Sequence, residues 1–224
     1  MPDALGLVTF DDIANDQFVI AYLEMGNAYL GTLGYTEHGQ RHANLTAHIA
    51  GNIMHRLGFS EREAELASIS GFMHDIGNCI SREFHGVSAA LLAKDRLLAH
   101  GIEPAELAVV MNALGNHEEE IGTPATPVGA AVIIADKADV HHTRVRSTPV
   151  EFDIHDRVNY AAKRSFVRVD SDTRLITLEL DIDTSQSQVM EYFEIFLSRM
   201  QICRKAADVL NATFSLVINE TKLL

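Results

Sequence analysis

Apolar residues at helical spacing in this chain run repeatedly into a histidine or an aspartate, and that conflict limits the fold more than any other feature. Leu45, Ile49, Ile53 and Leu57 recur a turn apart, with His42 one turn before them. Leu66, Ile69, Phe72, Met73 and Ile76 mark a second face that carries His74-Asp75 at its C-terminal end. Leu107, Val110, Met111 and Leu114 continue into His117, and Val128, Val132 and Ala135 lead to Asp136. A buried imidazole or carboxylate is costly unless it is paired or bound to a metal. A metal at the centre of a helical bundle would account for all four positions, and His85 would complete a two-metal set. Adjacent side chains on a helix diverge by about 100°, so His74 and Asp75 share a site only where the backbone bends. Gly77 is expected to supply that freedom.

The chain has 224 residues, 47% of them hydrophobic, enough for one sizeable core or a main domain with an appendage. A net charge of −13 argues against a nucleic-acid duplex or an anionic membrane surface as partner. A phosphate substrate is compatible with that charge, because a bound metal ion dominates its local field. Cys79 and Cys203 resemble neither a disulfide framework nor a zinc site. No signal pattern opens the chain and no apolar run reaches membrane-span length, so a cytoplasmic setting is expected.

Helical character runs from about residue 11 to 145. Asp16 suits an N-cap of a helix ending near Gly34, Ser60-Glu61-Arg62-Glu63 is a capping box, and Pro104 suits a first turn. Another helix is expected from about Glu83 to His100, and 121–127 reads as a loop. Character changes near Pro149. Segments 166–169 and 175–182, linked by Asp170-Ser171-Asp172-Thr173, read as a β-hairpin. A long amphipathic helix over 186–210 and a final strand over 213–218 follow. The expected fold is mainly α, a helical bundle over 1–148 with a small α+β element over 149–224. Val189, Phe193, Phe196, Leu197 and Met200 form one side of the long helix; they suit packing on the hairpin, and an exposed remainder would serve a homodimer.

Three strings, Gly39-Gln40-Arg41-His42, Gly71-Phe72-Met73-His74-Asp75-Ile76-Gly77-Asn78 and Ile134-Ala135-Asp136-Lys137-Ala138-Asp139, resemble the HD superfamily of metal-dependent phosphohydrolases over roughly residues 35–146. The resemblance implies that His42, His74, Asp75 and Asp136 hold one divalent metal. It implies that His85 and His117 hold a second, with Asp75 bridging. Mn or Fe is the first choice for imidazole and carboxylate ligands, with Co, Ni, Zn and Mg compatible. The implied chemistry is attack of a metal-activated hydroxide on a phosphate ester or anhydride, in a small-molecule substrate such as a nucleotide. The Gly-Tyr-Pro element of cyclic dinucleotide phosphodiesterases is absent, and Asn78 stands where they carry Lys. Diadenosine tetraphosphate hydrolases share the ligand order without the C-terminal hairpin and helix. Di-iron oxygenases share it too, so ligands alone do not separate hydrolysis from O₂ chemistry. A nucleotide-sensing module is the non-enzyme alternative.

Around these ligands, Arg82, Arg144 and Arg146 are candidates for substrate phosphate, since a guanidinium binds phosphate bidentately; each equally suits a surface salt bridge. Lys137, which follows a ligand, is a candidate catalytic residue and phosphate contact, and Glu118 and Asp139 are candidates to orient the hydroxide or act as general acid. His38 is a candidate pocket group and His141-His142 a candidate rim. His155-Asp156 repeats the dipeptide without an apolar helix before it or ordered partners after it, and reads as structural.

Overall fold

The computed structural model describes residues 7–119, 121–146 and 153–223. Helix α1 (Phe10–Ala14) is closed by a Thr9/Asp12 capping box, and Asp16 caps α2 (Gln17–Thr32) by accepting from the amides of Phe18 and Val19. Helix α3 (Gln40–Arg56) follows, with Gly39 as N-cap, and then α4 (Glu61–Met73), opened by the Ser60/Glu63 capping box. A 3₁₀ turn (Ile76–Cys79) leads to α5 (His85–Ala99). Pro104 and Pro127 occupy the first turns of α6 (Pro104–Gly115) and α7 (Pro127–Ala138), where their missing amides break no helical bond. A second 3₁₀ turn spans His142–Arg144.

Helix α7 is the axis of this part. Every residue from Val128 to Ala135 is buried, and α3, α4, α6 and α9 (Val189–Val209) all pack on it. A helix that is apolar all round must be enclosed in this way. Gly71 lets α4 lie directly on α3, since a Cβ there would stand 2.9 Å from Ala47 Cα. The start of α3 and the end of α4 are thereby held together.

The C-terminal part differs in detail from its sequence reading. Helix α8 (Ile154–Ala161), capped by Asp153 on the Asp156 amide, was not anticipated. Its signal is Ile154, Val158 and Ala161 at helical spacing. Strands β1 (Ala162–Asp170) and β2 (Leu175–Ile182) form the expected antiparallel hairpin, with Asp170 Oδ1 accepting from the amides of Asp172 and Thr173 in the turn. Strand β3 (Thr213–Ile218) lies parallel to β2, with α9 as the crossover that parallel pairing requires. A two-residue β4 (Thr221–Lys222) completes the order β1-β2-β3-β4. Phe196 and Met200 of α9 are buried, as its stripe implied, but the helix packs chiefly on α7 and β3 and not on the hairpin as expected, and Leu197 points outward at 53% exposure. The expected boundary at 148/149 falls outside the described residues, and one apolar core runs on from Val8 to Ile218. Among the described residues, no helix is long and apolar enough to cross a membrane.

Candidate metal centre

Helix ends build the site. His42 opens α3, His74 is the C-cap of α4, Asp75 begins the 3₁₀ turn, His85 opens α5, His117 lies just past α6 and Asp136 is in the last turn of α7. All four histidines are at least 96% buried, and Asp75 is 3% exposed. Gly77 contributes through closeness and not through backbone freedom: its φ is not positive, and a Cβ would stand 2.0 Å from the His85 carbonyl oxygen. The first turn of α5 therefore rests on the turn that carries Asp75.

Each ring is fixed from behind through Nδ1. His74 donates to the Gly71 carbonyl at 2.7 Å, His117 to the Leu114 carbonyl at 2.7 Å and His85 to the Arg82 carbonyl at 3.0 Å. His42 Nδ1 donates to Asp139 Oδ2 at 2.7 Å. Three of these acceptors lie three residues back, among the carbonyls that helix ends and turns leave without a partner. With Nδ1 committed as donor, every Nε2 faces inward. The His42 and His74 Nε2 atoms meet at 3.2 Å, and those of His85 and His117 at 3.1 Å. Two such nitrogens cannot both be bare lone pairs; a proton or a cation belongs between them.

Carboxylates supply the matching negative charge. Asp136 Oδ1 is 3.3 Å from His42 Nε2 and 3.7 Å from His74 Nε2, while Lys137 holds its other oxygen at 2.6 Å. Asp75 Oδ2 is buried without a hydrogen-bond partner, 3.3 Å from His74 Nε2 and 3.6 Å from His42 Nε2. Its Oδ1 takes a bond from Asn78 at 2.8 Å and faces His85 Nε2 at 3.4 Å. Burial opposes a charge on His74, but Asp75 and Asp136 outweigh it and lift the imidazole to about 10. Burial also opposes charge on His85, and Asp75 and Glu118 raise it nonetheless. His117 is driven the other way, well below its usual value, by burial and by the positive charge of its neighbours. A proton thus stands in for a cation in each pair. Two groups, His42 with His74 and Asp136, and His74 with Asp75 and His117, bring one ligand atom per residue within 4.8 Å and could hold a metal ion.

Several expected roles change. Glu118 lies behind His85, with Oε2 3.2 Å from Nδ1 and Oε1 accepting from the Gly86 amide at 2.8 Å. Burial opposes its ionisation, but His85 and that amide lower it to about 2, so it carries no proton to deliver near neutrality. Asp139 likewise sits behind His42, where burial is outweighed by Arg144, His42 and Arg41 and its acidity is far stronger than usual. Both acids position rings. Arg144 is buried, and donates to the Glu37 carbonyl at 2.9 and 2.8 Å and to the Asp139 carbonyl at 2.8 Å. Arg146 is exposed and bonds Asn27 and the Thr36 carbonyl. Neither guanidinium is aimed at the cluster. Arg82 is: its Nη1 lies 3.4 Å from His85 Nε2 and 3.4 Å from Asn78 Oδ1, and it pairs with no carboxylate among the described residues.

The His38 ring stands 5.5 Å from that of His42, donates to the Thr36 carbonyl at 2.7 Å and is kept neutral by burial. His141 lines a cavity of about 260 Å³ with Arg41, Leu45, Ile49, Asp139 and Phe166. That cavity contains none of the six clustered residues. His155 is exposed on α8 and belongs to neither metal-capable group. Asn78, which orients Asp75, had no role in the sequence reading beyond replacing a lysine.

The matched family agrees with this geometry. Residues 40–144 match the HD domain model. The chain carries an HD domain. That segment contains His42, His74, Asp75, His85, His117 and Asp136, together with Glu118 and Asp139 behind them. HD domains generally belong to metal-dependent hydrolases and bind divalent metals. The chain is also 29% identical over 101 residues to Uncharacterized protein MJ1020 of Methanocaldococcus jannaschii, a match covering 38% of this chain and 39% of that protein.

Proposed function

We propose that this HD domain hydrolyses a phosphate ester or anhydride, carried on a nucleotide, with one or two divalent ions held by His42, His74, Asp75, His85, His117 and Asp136. The observation that carries the reading is the pair of inward Nε2 contacts on either side of an unsatisfied Asp75 oxygen. Imidazole and carboxylate donors suit Mn or Fe. When bound, such ions supply Lewis acidity toward a phosphoryl oxygen and lower the pKa of water. Asp139 and Glu118 hold the His42 and His85 rings in the tautomer that presents Nε2. Lys137 neutralises the outer oxygen of Asp136 and leaves the inner one for the site. Arg82, at the cluster and pairing with no carboxylate among the described residues, is the group that would bind and orient a phosphate.

Elemental analysis of chelator-free protein, wild type beside His85→Ala, tests the metal set. About two ions falling to one supports the paired arrangement. Phosphate release from a panel of nucleotides, run with and without O₂, tests the reaction. Turnover that requires O₂ and releases no phosphate would sink the hydrolase reading.

A further inference from the structure

Phe84, the residue before His85, stands in the left-handed region with φ 55° and ψ 32°. A bulky residue is strained there, whereas glycine adopts the same backbone freely. The backbone has a use, since it lets α5 open at His85 with Nδ1 on the Arg82 carbonyl. That use does not account for the ring, because glycine would serve it better. The ring does not cap α5, and it is 61% exposed, so little packing offsets the strain. The other described non-glycine residues with positive φ, Arg174, Asn211, Asn219 and Glu220, are all polar.

The surroundings indicate what the ring is for. Ile80 is 62% exposed and Tyr35 43% exposed, and the Arg82 guanidinium lies 5.4 Å from the centre of the Tyr35 ring. Ile80 and Phe84 thus flank Arg82 in the chain, and Tyr35 meets it in space; this guanidinium touches His85 and pairs with no carboxylate among the described residues. We propose that Phe84 and Tyr35 form a subsite for a flat unsaturated ring carried by the phosphate substrate, with Arg82 taking the phosphate. This rests on the phosphohydrolase reading above and narrows it. Stacking on an aromatic side chain accepts any nucleobase and rejects a bare sugar phosphate. Phe84 is then a specificity residue whose strain is retained for binding.

The test uses manganese-loaded full-length protein with AMP and ribose 5-phosphate, which share the phosphorylated sugar and differ in the base. Binding is measured by calorimetry, or as KM where a probe is turned over. AMP should bind about tenfold or more tightly than ribose 5-phosphate. Phe84→Gly should abolish that preference, leave ribose 5-phosphate unchanged and raise Tm by about 2–4 °C. Phe84→Leu should keep part of the preference. A preference that survives Phe84→Gly, or a fall in Tm, overturns the proposal. So does a change in oligomer mass on Phe84→Gly, which would assign the ring to a contact between copies along the exposed Val87 and Leu91. Equal binding of AMP, ribose 5-phosphate and inorganic phosphate to wild type removes the subsite alone. No binding of any of the three removes the phosphate site and the subsite with it.

Discussion

Among the described residues, two buried aspartates gather histidines around them, and the two sets come to opposite ends. Asp16, beside α2, accepts from the Phe18 and Val19 amides on one oxygen, at 2.8 and 3.2 Å. Its other oxygen accepts from Arg96 at 3.0 and 2.7 Å and from His100 at 2.8 Å. Burial resists its charge, but these donors lower the carboxyl to about 2. Every lone pair is used, and the set is a closed structural joint. Asp75 has one donor on Oδ1, no hydrogen-bond partner on Oδ2, and imidazoles on both sides that turn Nδ1 outward and Nε2 toward it. The residue types are similar; the direction of the donors separates a joint from a site. An unsatisfied, inward-facing acceptor set is a request for a cation.

The strongest way to break this comparison is to exchange the outcomes of the two aspartates. Asp75→Ala should reduce metal content to background while the protein stays folded. Asp16→Asn should keep full metal content and lose stability. Metal retained by Asp75→Ala, on elemental analysis, would mean that the open set is not a site.

The pH dependence sharpens it next. His74 is raised to about 10 and His85 is raised as well, so a metal must displace protons from them. Manganese affinity should climb as pH rises through neutrality, about tenfold per unit for each proton displaced. Proton release measured by calorimetry in buffers of different ionisation enthalpy checks the count. An affinity flat from pH 6 to 8 would contradict the proton-for-metal exchange.

The acids behind the rings come third. Asp139→Asn and Glu118→Gln should each weaken metal binding by about 10–100-fold without removing it. Activity lost at unchanged metal affinity would instead return them to direct roles in the reaction.

The smallest effect belongs to the closed set. The depressed Asp16 carboxyl contributes about 2 kcal/mol, fully present above its unfolded value near 3.8 and lost as pH falls through about 2. Asp16→Asn should therefore lower Tm by about 4–8 °C at pH 7, with the gap closing toward pH 2. A gap independent of pH would show that the cap geometry matters and the charge does not.

Much of this was legible in the chain. Helical stripes show which faces are buried, and a histidine at the end of such a stripe shows where polar groups are forced inward. His42, His74, Asp75, His117 and Asp136 are readable on that basis, as are the Ser60 box and the hairpin, whereas His85, at a helix start and on no stripe, is suggested by the family resemblance. Partnerships across the chain were not. Asp139 meets His42 from 97 residues away, and no local pattern says that it approaches Nδ1 and not the open side. Arg144 carried the right chemistry for phosphate, yet turned to the carbonyls of Glu37 and Asp139. The parallel partner of β2 was hidden for the same reason: strand pattern reveals a pleated face, and pairing direction depends on how α9 crosses.

Helix α9 has a further consequence. It covers α7, and its Arg199 and Ser198 hold Glu119, two residues after His117. All six clustered residues are synthesised by position 136, yet the wall against them is finished only near Ala207. Each nascent chain therefore spends roughly seventy residues of translation, several seconds at about 5–20 residues per second, with its ligands made and their enclosure unfinished. Which metal the cell offers in that interval, and whether a chaperone shields α7 meanwhile, bears on what the finished protein holds.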